Sequence, residues 1–298
     1  MLLKNIKKFK ALTNLSRRYF SNEPETKVID AEEITIDMIS KVKTSYKNLP
    51  EDISTFNNPK AGFEYTILGH EFQALDITLT HPQKVIARSG SLSYFSENIS
   101  FTTTMHGNIQ DSAGRLLSGS SAFLMEFHNT SELSPGKLML TPQHPSKIIP
   151  INLEDYSQKL LCHKDSFICG DLALKVTGTY IVNPITGLGS GEGFILQQLK
   201  GSGVAFLAGG GVVVKRQLRE NEEVYLIPGS LLALDPKVTF KMQFIKGIKN
   251  ILFGEGLFFI KVTGPGDVFV QSLSFNKVLS NVSSSLKNTI RNKIMSGK

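Results

Sequence analysis

The chain has 298 residues, 41% of them hydrophobic and 20% charged, with two cysteines and a formal net charge of +7. Such a composition supports one large or two small packed domains and excludes a disordered chain. It also excludes a disulfide framework, and no apolar run reaches the roughly 20 residues of a membrane-spanning helix.

Residues 1–20 hold six basic side chains (Lys4, Lys7, Lys8, Lys10, Arg17 and Arg18) and no acid. Leu2, Ile6 and Phe9 recur at helical spacing, so a helix here is basic and amphipathic. This is the composition of a mitochondrial presequence. Arg18 stands two residues before Phe20, with the small Ser21 next, which places cleavage after Phe20. A disordered basic arm is the plainer alternative. Without residues 1–20, 27 basic residues face 26 acids. Residues 21–274 alone carry 22 against 26, about −4. A body of that charge is poorly suited to nucleic acid, whose binding is dominated by phosphate contacts.

Residues 21–64 are polar, and they read as a tether with one short helix in "AEEITIDMISKVKTSYKNL". From Tyr65 the pattern turns to short β-like runs cut by Gly, Pro and Asn. Two stretches recur. "GEGFILQQLKGSGVAFLA" from Gly191 lies over "GEGLFFIKVTGPGDVFVQ" from Gly254, pairing Gly191, Gly193, Gly201 and Gly203 with Gly254, Gly256, Gly264 and Gly266. A weaker copy begins at Gly119. "LTHPQKVIARSGSLSYFSENISF" from Leu79 lies over "LRENEEVYLIPGSLLALDPKVTF" from Leu218, matching Gly90 with Gly229, while the middle copy carries Asp165 there. The expected fold is all-β: three sequence-related β-sandwich or double-stranded β-helix modules (65–142, 148–209 and 212–273) around a pseudo-threefold axis. Each module runs strand, polar loop, strand, Gly-Ser-Leu turn, then a long strand and a glycine turn into a last strand. "VAFLAGGGVVV" reads as strand, turn, strand. "FILQQL" half alternates, whereas "LFFIKV" is continuously apolar and is expected to be covered on both sides.

The motifs "GEGLF" at 254–258, "TGPG" at 263–266, "VFVQS" at 268–272 and "LIPGSLLAL" at 226–234 resemble the altered-inheritance-of-mitochondria protein 24 family over about 65–273. That family's domain is similar to the fold of the tryptophan RNA-binding attenuation protein. The resemblance implies a mitochondrial, inner-membrane-associated protein that supports cristae organisation. Its implied partners are inner-membrane complexes, the crista-junction complex first among them. It implies no catalytic residues.

The glycines form no dinucleotide fingerprint, because Glu192, Phe194 and Phe206 stand where Gly-x-Gly-x-x-Gly needs glycine. They read as turns. Cys162, His163 and Cys169 offer three ligands and no fourth, so two half-buried thiols in a hairpin outweigh zinc or a disulfide. The six histidines read as loop and strand-edge residues, and Lys215-Arg216 as a solvated edge. No cofactor, metal, nucleic acid or catalysis is expected.

The tail from residue 274 is basic and acid-free. Leu279, Val282, Leu286, Ile290 and Ile294 form a helical stripe, with Lys287 and Arg291 off it. Such a helix lies on an anionic lipid surface, docks on a partner, or packs on its own body. The expected function is a non-enzymatic inner-membrane scaffold, with homo-oligomers through free sheet edges. The alternative is a small-ligand or lipid-binding β-module.

Overall fold

Short apolar runs with alternating burial form strands, because a pleated chain sends successive side chains to opposite faces. The computed structural model describes residues 51–52, 59–104, 124–182, 194–244 and 258–275. All of them belong to one unit spanning residues 49–298. Presequence residues Arg18, Phe20 and Ser21, the tail stripe from Leu279 to Ile294, and Gly119, Gly191, Gly193, Gly254 and Gly256 lie outside the described residues.

The described body is all-β, in four antiparallel sheets. Two strands come first, β1 (Glu51–Asp52) and β2 (Glu64–Leu68). Three runs of six follow. The first is β3 (Ala74–Leu79), β4 (Lys84–Arg88), β5 (Leu92–Phe95), β6 (Ile99–Thr104), β7 (Leu124–Asn129) and β8 (Gly136–Leu140). The second is β9 (Lys147–Asn152), β10 (Lys159–His163), β11 (Phe167–Asp171), β12 (Lys175–Val182), β13 (Phe194–Lys200) and β14 (Val204–Gly209). The third is β15 (Val213–Leu218), β16 (Glu223–Leu226), β17 (Leu231–Leu234), β18 (Thr239–Phe244), β19 (Phe258–Thr263) and β20 (Gly266–Gln271).

One pairing scheme recurs in every run: the sixth strand lies between the first and third, and the fifth between the second and fourth. In the first run this gives β3–β8–β5 and β4–β7–β6. The second gives β9–β14–β11 and β10–β13–β12, and the third β15–β20–β17 and β16–β19–β18. A register shift falls at the same place each time, between Leu92 and Tyr94, Phe167 and Cys169, and Leu231 and Ala233. The turn after the third strand also repeats. The carbonyls of Ser96, Asp171 and Asp235 accept from the N–H groups of Ile99, Leu174 and Val238, each a buried apolar anchor.

Three apolar cores fill the space between sheets. Ile77, Phe127, Leu138 and Phe206 belong to the first, Ile151, Leu160, Leu199 and Leu207 to the second, and Leu231, Val238, Ile260 and Val262 to the third. Strand β14 is covered on both faces. Its Val204, Phe206 and Ala208 enter the first core, while Ala205 and Leu207 enter the second. The two-sided cover expected of "LFFIKV" is corrected: on β19, Ile260 and Val262 are buried while Phe259, Lys261 and Thr263 are only half-buried. Apolar composition misled there, because half-exposed Phe259 fills a position that elsewhere in the strand is polar.

The tether expected at 21–64 also needs correction at its end. β1 pairs with β15, Ala61 and Phe63 are buried, and the Gly62 N–H donates to Asp171 Oδ1 at 2.8 Å. At Gly201 and Gly203, φ is +117° and +103°, a region closed to most side chains, so the turn between β13 and β14 needs glycine. Gly229 differs. It lies in the 3-10 turn Pro228–Ser230 without positive φ, and its missing side chain makes room for Ser274. Gly210 does the same for the crossover from β14 to β15: a side chain there would run into the Leu273 carbonyl.

Candidate functional site: an open seam between edge strands

Successive runs join by pairing the second strand of one with the third strand of the next. β4 meets β11 with Ile86 opposite Gly170 and Ala87 opposite Cys169. β10 meets β17 with Leu161 opposite Leu234 and Cys162 opposite Ala233. These joints fuse the runs into six- and seven-stranded sheets. Among the described residues, the matching joint between β16 and β5 is not made. β16 ends the sheet β16-β19-β18, and β5 ends the sheet β2-β3-β8-β5.

The side chains explain why. Counted from the shared bulge, Tyr94 takes the place of Cys169 and Ala233, and Phe95 that of Gly170 and Leu234. Counted along the second strands, Tyr225 takes the place of Ile86 and Leu161. Ile86 and Leu161 are 0% and 7% exposed, whereas Tyr225 is 52%, Tyr94 45% and Phe95 44% exposed. Ile86 reaches the second core and Leu161 the third. By the same step Tyr225 would reach the first, which fully buried Phe127, Leu138, Leu140 and Phe206 already fill. A close-packed core has no room for another ring.

Among the described residues, the seam is therefore two unpaired backbone edges that carry aromatic rings. Phe101 on β6 widens the patch, edge-on to Phe95 with centroids 5.7 Å apart, and rests on buried Phe127. Tyr94 Oη donates to Asp76 Oδ1 at 2.6 Å. That bond raises the Tyr94 phenol above its usual range, with burial and the Asp76 charge adding to it. Lys137 lies 3.7 Å from Asp76, and Lys261 lies 2.6 Å from Glu223 on β16. Free N–H and C=O groups beside apolar rings suit extended backbone, as sheet edges do in β-augmentation.

A second polar group closes the joint between the first two runs. Arg88 donates to the Asp165 carbonyl at 2.9 Å and to Asp165 Oδ1 at 3.0 Å. The Asp165 that interrupts the glycine pattern thus serves as an ion-pair partner. His163 ends β10 and is half-buried. Burial pushes its imidazole down to about 4, opposed by Asp165 and aided by Lys164, His144 and Arg88. The Asp165 N–H, 3.4 Å from His163 Nδ1, suits a neutral ring. His144 stacks on Phe275, centroids 4.9 Å apart, where the tail leaves the body.

A pH dependence follows. The unfolded imidazole takes its proton near its ordinary 6.5, the folded one only near 4. The unfolded state therefore binds more protons between those values, and stability held above about pH 6.5 is lost as pH falls towards 4. Denaturant melts across that range should show a loss of about 1–3 kcal/mol assignable to this site. His163→Gln should flatten that slope. An unchanged slope would show that His163 is not the group responsible.

Cys162 and Cys169 are free and fully buried, on β10 and β11 in different sheets, which corrects their reading as half-buried hairpin thiols. Burial raises the Cys162 thiol to about 11. Among the described residues, no three His, Cys, Asp or Glu side chains gather as a metal site. Lys215 and Arg216 are not a solvated edge. They pair with Asp267 at 3.7 Å and Glu222 at 2.8 Å. Of the glycines chosen from sequence, Gly90 (φ +85°) lies in the turn leading into β5, and Gly229 lies in the turn that follows β16. Gly201, Gly203, Gly264 and Gly266 shape the turns before β14 and β20.

Tyr94, Phe95, Phe101 and Tyr225 were not picked out from sequence. The signal for Tyr94 and Phe95 lay in the alignment of "SLSYF" with "SLLAL", where aromatics stand against aliphatic residues, and that for Tyr225 in its alignment with Ile86, while Phe101 aligns with Phe240 and left none.

A family model for mitochondrial biogenesis AIM24 matches residues 65–273, spanning all three runs and both edges of the seam. The chain belongs to the mitochondrial biogenesis AIM24 family. An uncharacterised Streptococcus pyogenes serotype M6 protein is 23% identical to this AIM24 chain over 215 residues, covering 70% of this chain and 84% of that protein. The fold is shared with the crystal structure of a Streptococcus pyogenes protein, at a TM-score of 0.58 and 20% identity. That match covers 75% of the AIM24 chain and 99% of the other. AIM24 membership assigns a role related to mitochondrial biogenesis. Among the described residues, no helix is long and apolar enough to cross a membrane.

Proposed function

We propose that this AIM24 chain is a non-enzymatic scaffold associated with the mitochondrial inner membrane, holding larger assemblies such as the crista-junction complex. Its three six-strand runs stand around a pseudo-threefold axis, a reading supported by the shared pairing scheme and the shared bulge. The basic residues 1–20 act as a presequence ending at Phe20, and the basic tail from residue 274 lies on anionic lipid or a partner.

One observation carries the reading: a well-packed body exposes the rings of Tyr94, Phe95, Phe101 and Tyr225 on or near two sheet edges that are unpaired among the described residues, a surface suited to macromolecules. The test is cross-linking with mass spectrometry on isolated mitochondria. Cross-links to subunits of inner-membrane complexes are the expected result, together with a mature N-terminus at Ser21. Cross-links confined to soluble matrix enzymes would overturn it.

A further inference from the structure

We infer that the seam is completed by a second copy of this chain, with β16 of each copy pairing antiparallel with β5 of the other. This deepens the scaffold reading by naming the occupant of the same surface.

Both halves of the missing joint are carried by one chain. β5 and β16 are each four residues long, and each has its other edge occupied, by β8 and β19. The two joints already made fix the register. Ile86 opposite Gly170 and Leu161 opposite Leu234 set Tyr225 opposite Phe95. Ala87 opposite Cys169 and Cys162 opposite Ala233 set Leu226 opposite Tyr94. An aromatic pair facing across antiparallel strands is among the better cross-strand contacts.

Within one chain the joint is not made among the described residues. Between two copies the exposed Tyr225 and Phe95 rings cover each other at the rim. A twofold axis relating the copies makes the joint twice and leaves neither edge open, the closed arrangement that keeps a dimer from growing into a fibre. The body's charge of about −4 is too small to oppose such a contact strongly.

The test uses the full chain. Sedimentation should give twice the 32.8 kDa chain mass. Phe95→Lys and Tyr225→Lys should each weaken self-association by about tenfold or more, as a charge on an edge strand does. Because both side chains are exposed, the melting temperature of the monomer should stay close to that of the parent.

A trapping experiment fixes the register. A chain carrying Tyr225→Cys, mixed with a differently tagged chain carrying Phe95→Cys, should give a disulfide-linked heterodimer under mild oxidation. Directly opposite residues lie within disulfide reach. A chain that stays monomeric up to ~100 μM, far above the affinity of a stable dimer, overturns the inference. So does a Tyr225→Cys/Phe95→Cys chain that links only within itself. The scaffold reading is scored separately, by cross-links to other inner-membrane proteins, which a monomeric chain is free to make.

Discussion

Phe206→Ala is expected to lower the free energy of unfolding by about 3–5 kcal/mol, the upper range for a core truncation. Phe206 is fully buried on β14, a strand with no solvent face. Its ring lies 6.0 Å from Phe63 and meets Tyr65 edge-on at 4.7 Å. Both partners belong to the segment just before β3, so the ring fastens that segment to the second run. Truncation removes the transfer free energy of the ring and leaves a cavity that three neighbouring strands are too constrained to fill. Tyr65 reports on it as well: burial raises its phenol to about 12, and opening the site should bring it back towards its usual value. Urea unfolding of the two proteins checks the first outcome, and spectrophotometric titration the second. A loss under about 1 kcal/mol would contradict the two-sided packing of β14.

Gly170→Phe should prevent folding, and Gly170→Ala should cost about 1–3 kcal/mol by overpacking. The double test probes why one joint is open. Gly170 faces Ile86 across the first joint, and Phe95 occupies the matching place at the seam. A Cβ at Gly170 would lie 2.7 Å from the Val204 carbonyl oxygen and 3.3 Å from the Ala205 Cα. Both are backbone atoms of a buried strand and have nowhere to move. The third run tolerates Leu234 at this place, so the surroundings of each joint, more than the position itself, decide what fits. Calorimetry of Gly170→Ala and expression of Gly170→Phe check both outcomes. A stable, soluble Gly170→Phe chain would remove the steric account of the seam.

The glycines at 201, 203 and 266 leave a residue-type trace in the sequence, because the φ at Gly201, Gly203 and Gly266 is one that glycine alone holds readily. The all-β class was legible for a similar reason, since short runs between turn residues have few other solutions. What joins the runs was not. Pairing of β4 with β11 depends on Ala87, Cys169 and Gly170 being small and in register, and smallness has no period to detect. The seam was harder still. Tyr94 and Tyr225 look like ordinary strand residues until each is set beside its counterparts in the other runs. His163 reads as an edge residue because it ends a strand, but its surroundings, Arg88 and His144 among them, come from elements distant in sequence.

The Tyr94 and Phe95 substitutions also depend on the runs sharing one polypeptide. Were each run a separate subunit of a homotrimer, a single codon change would appear at all three joints together, and aromatic rings at every one would leave nothing to assemble. Covalent linkage frees each joint to vary alone. Two can stay closed and keep the body folded while the third drifts towards a different use. Asp165 illustrates the same freedom on a smaller scale: it pairs with Arg88 at one joint, where the corresponding residues at the others are Gly90 and Gly229. Runs joined in tandem can thus divide their labour in a way that identical subunits cannot.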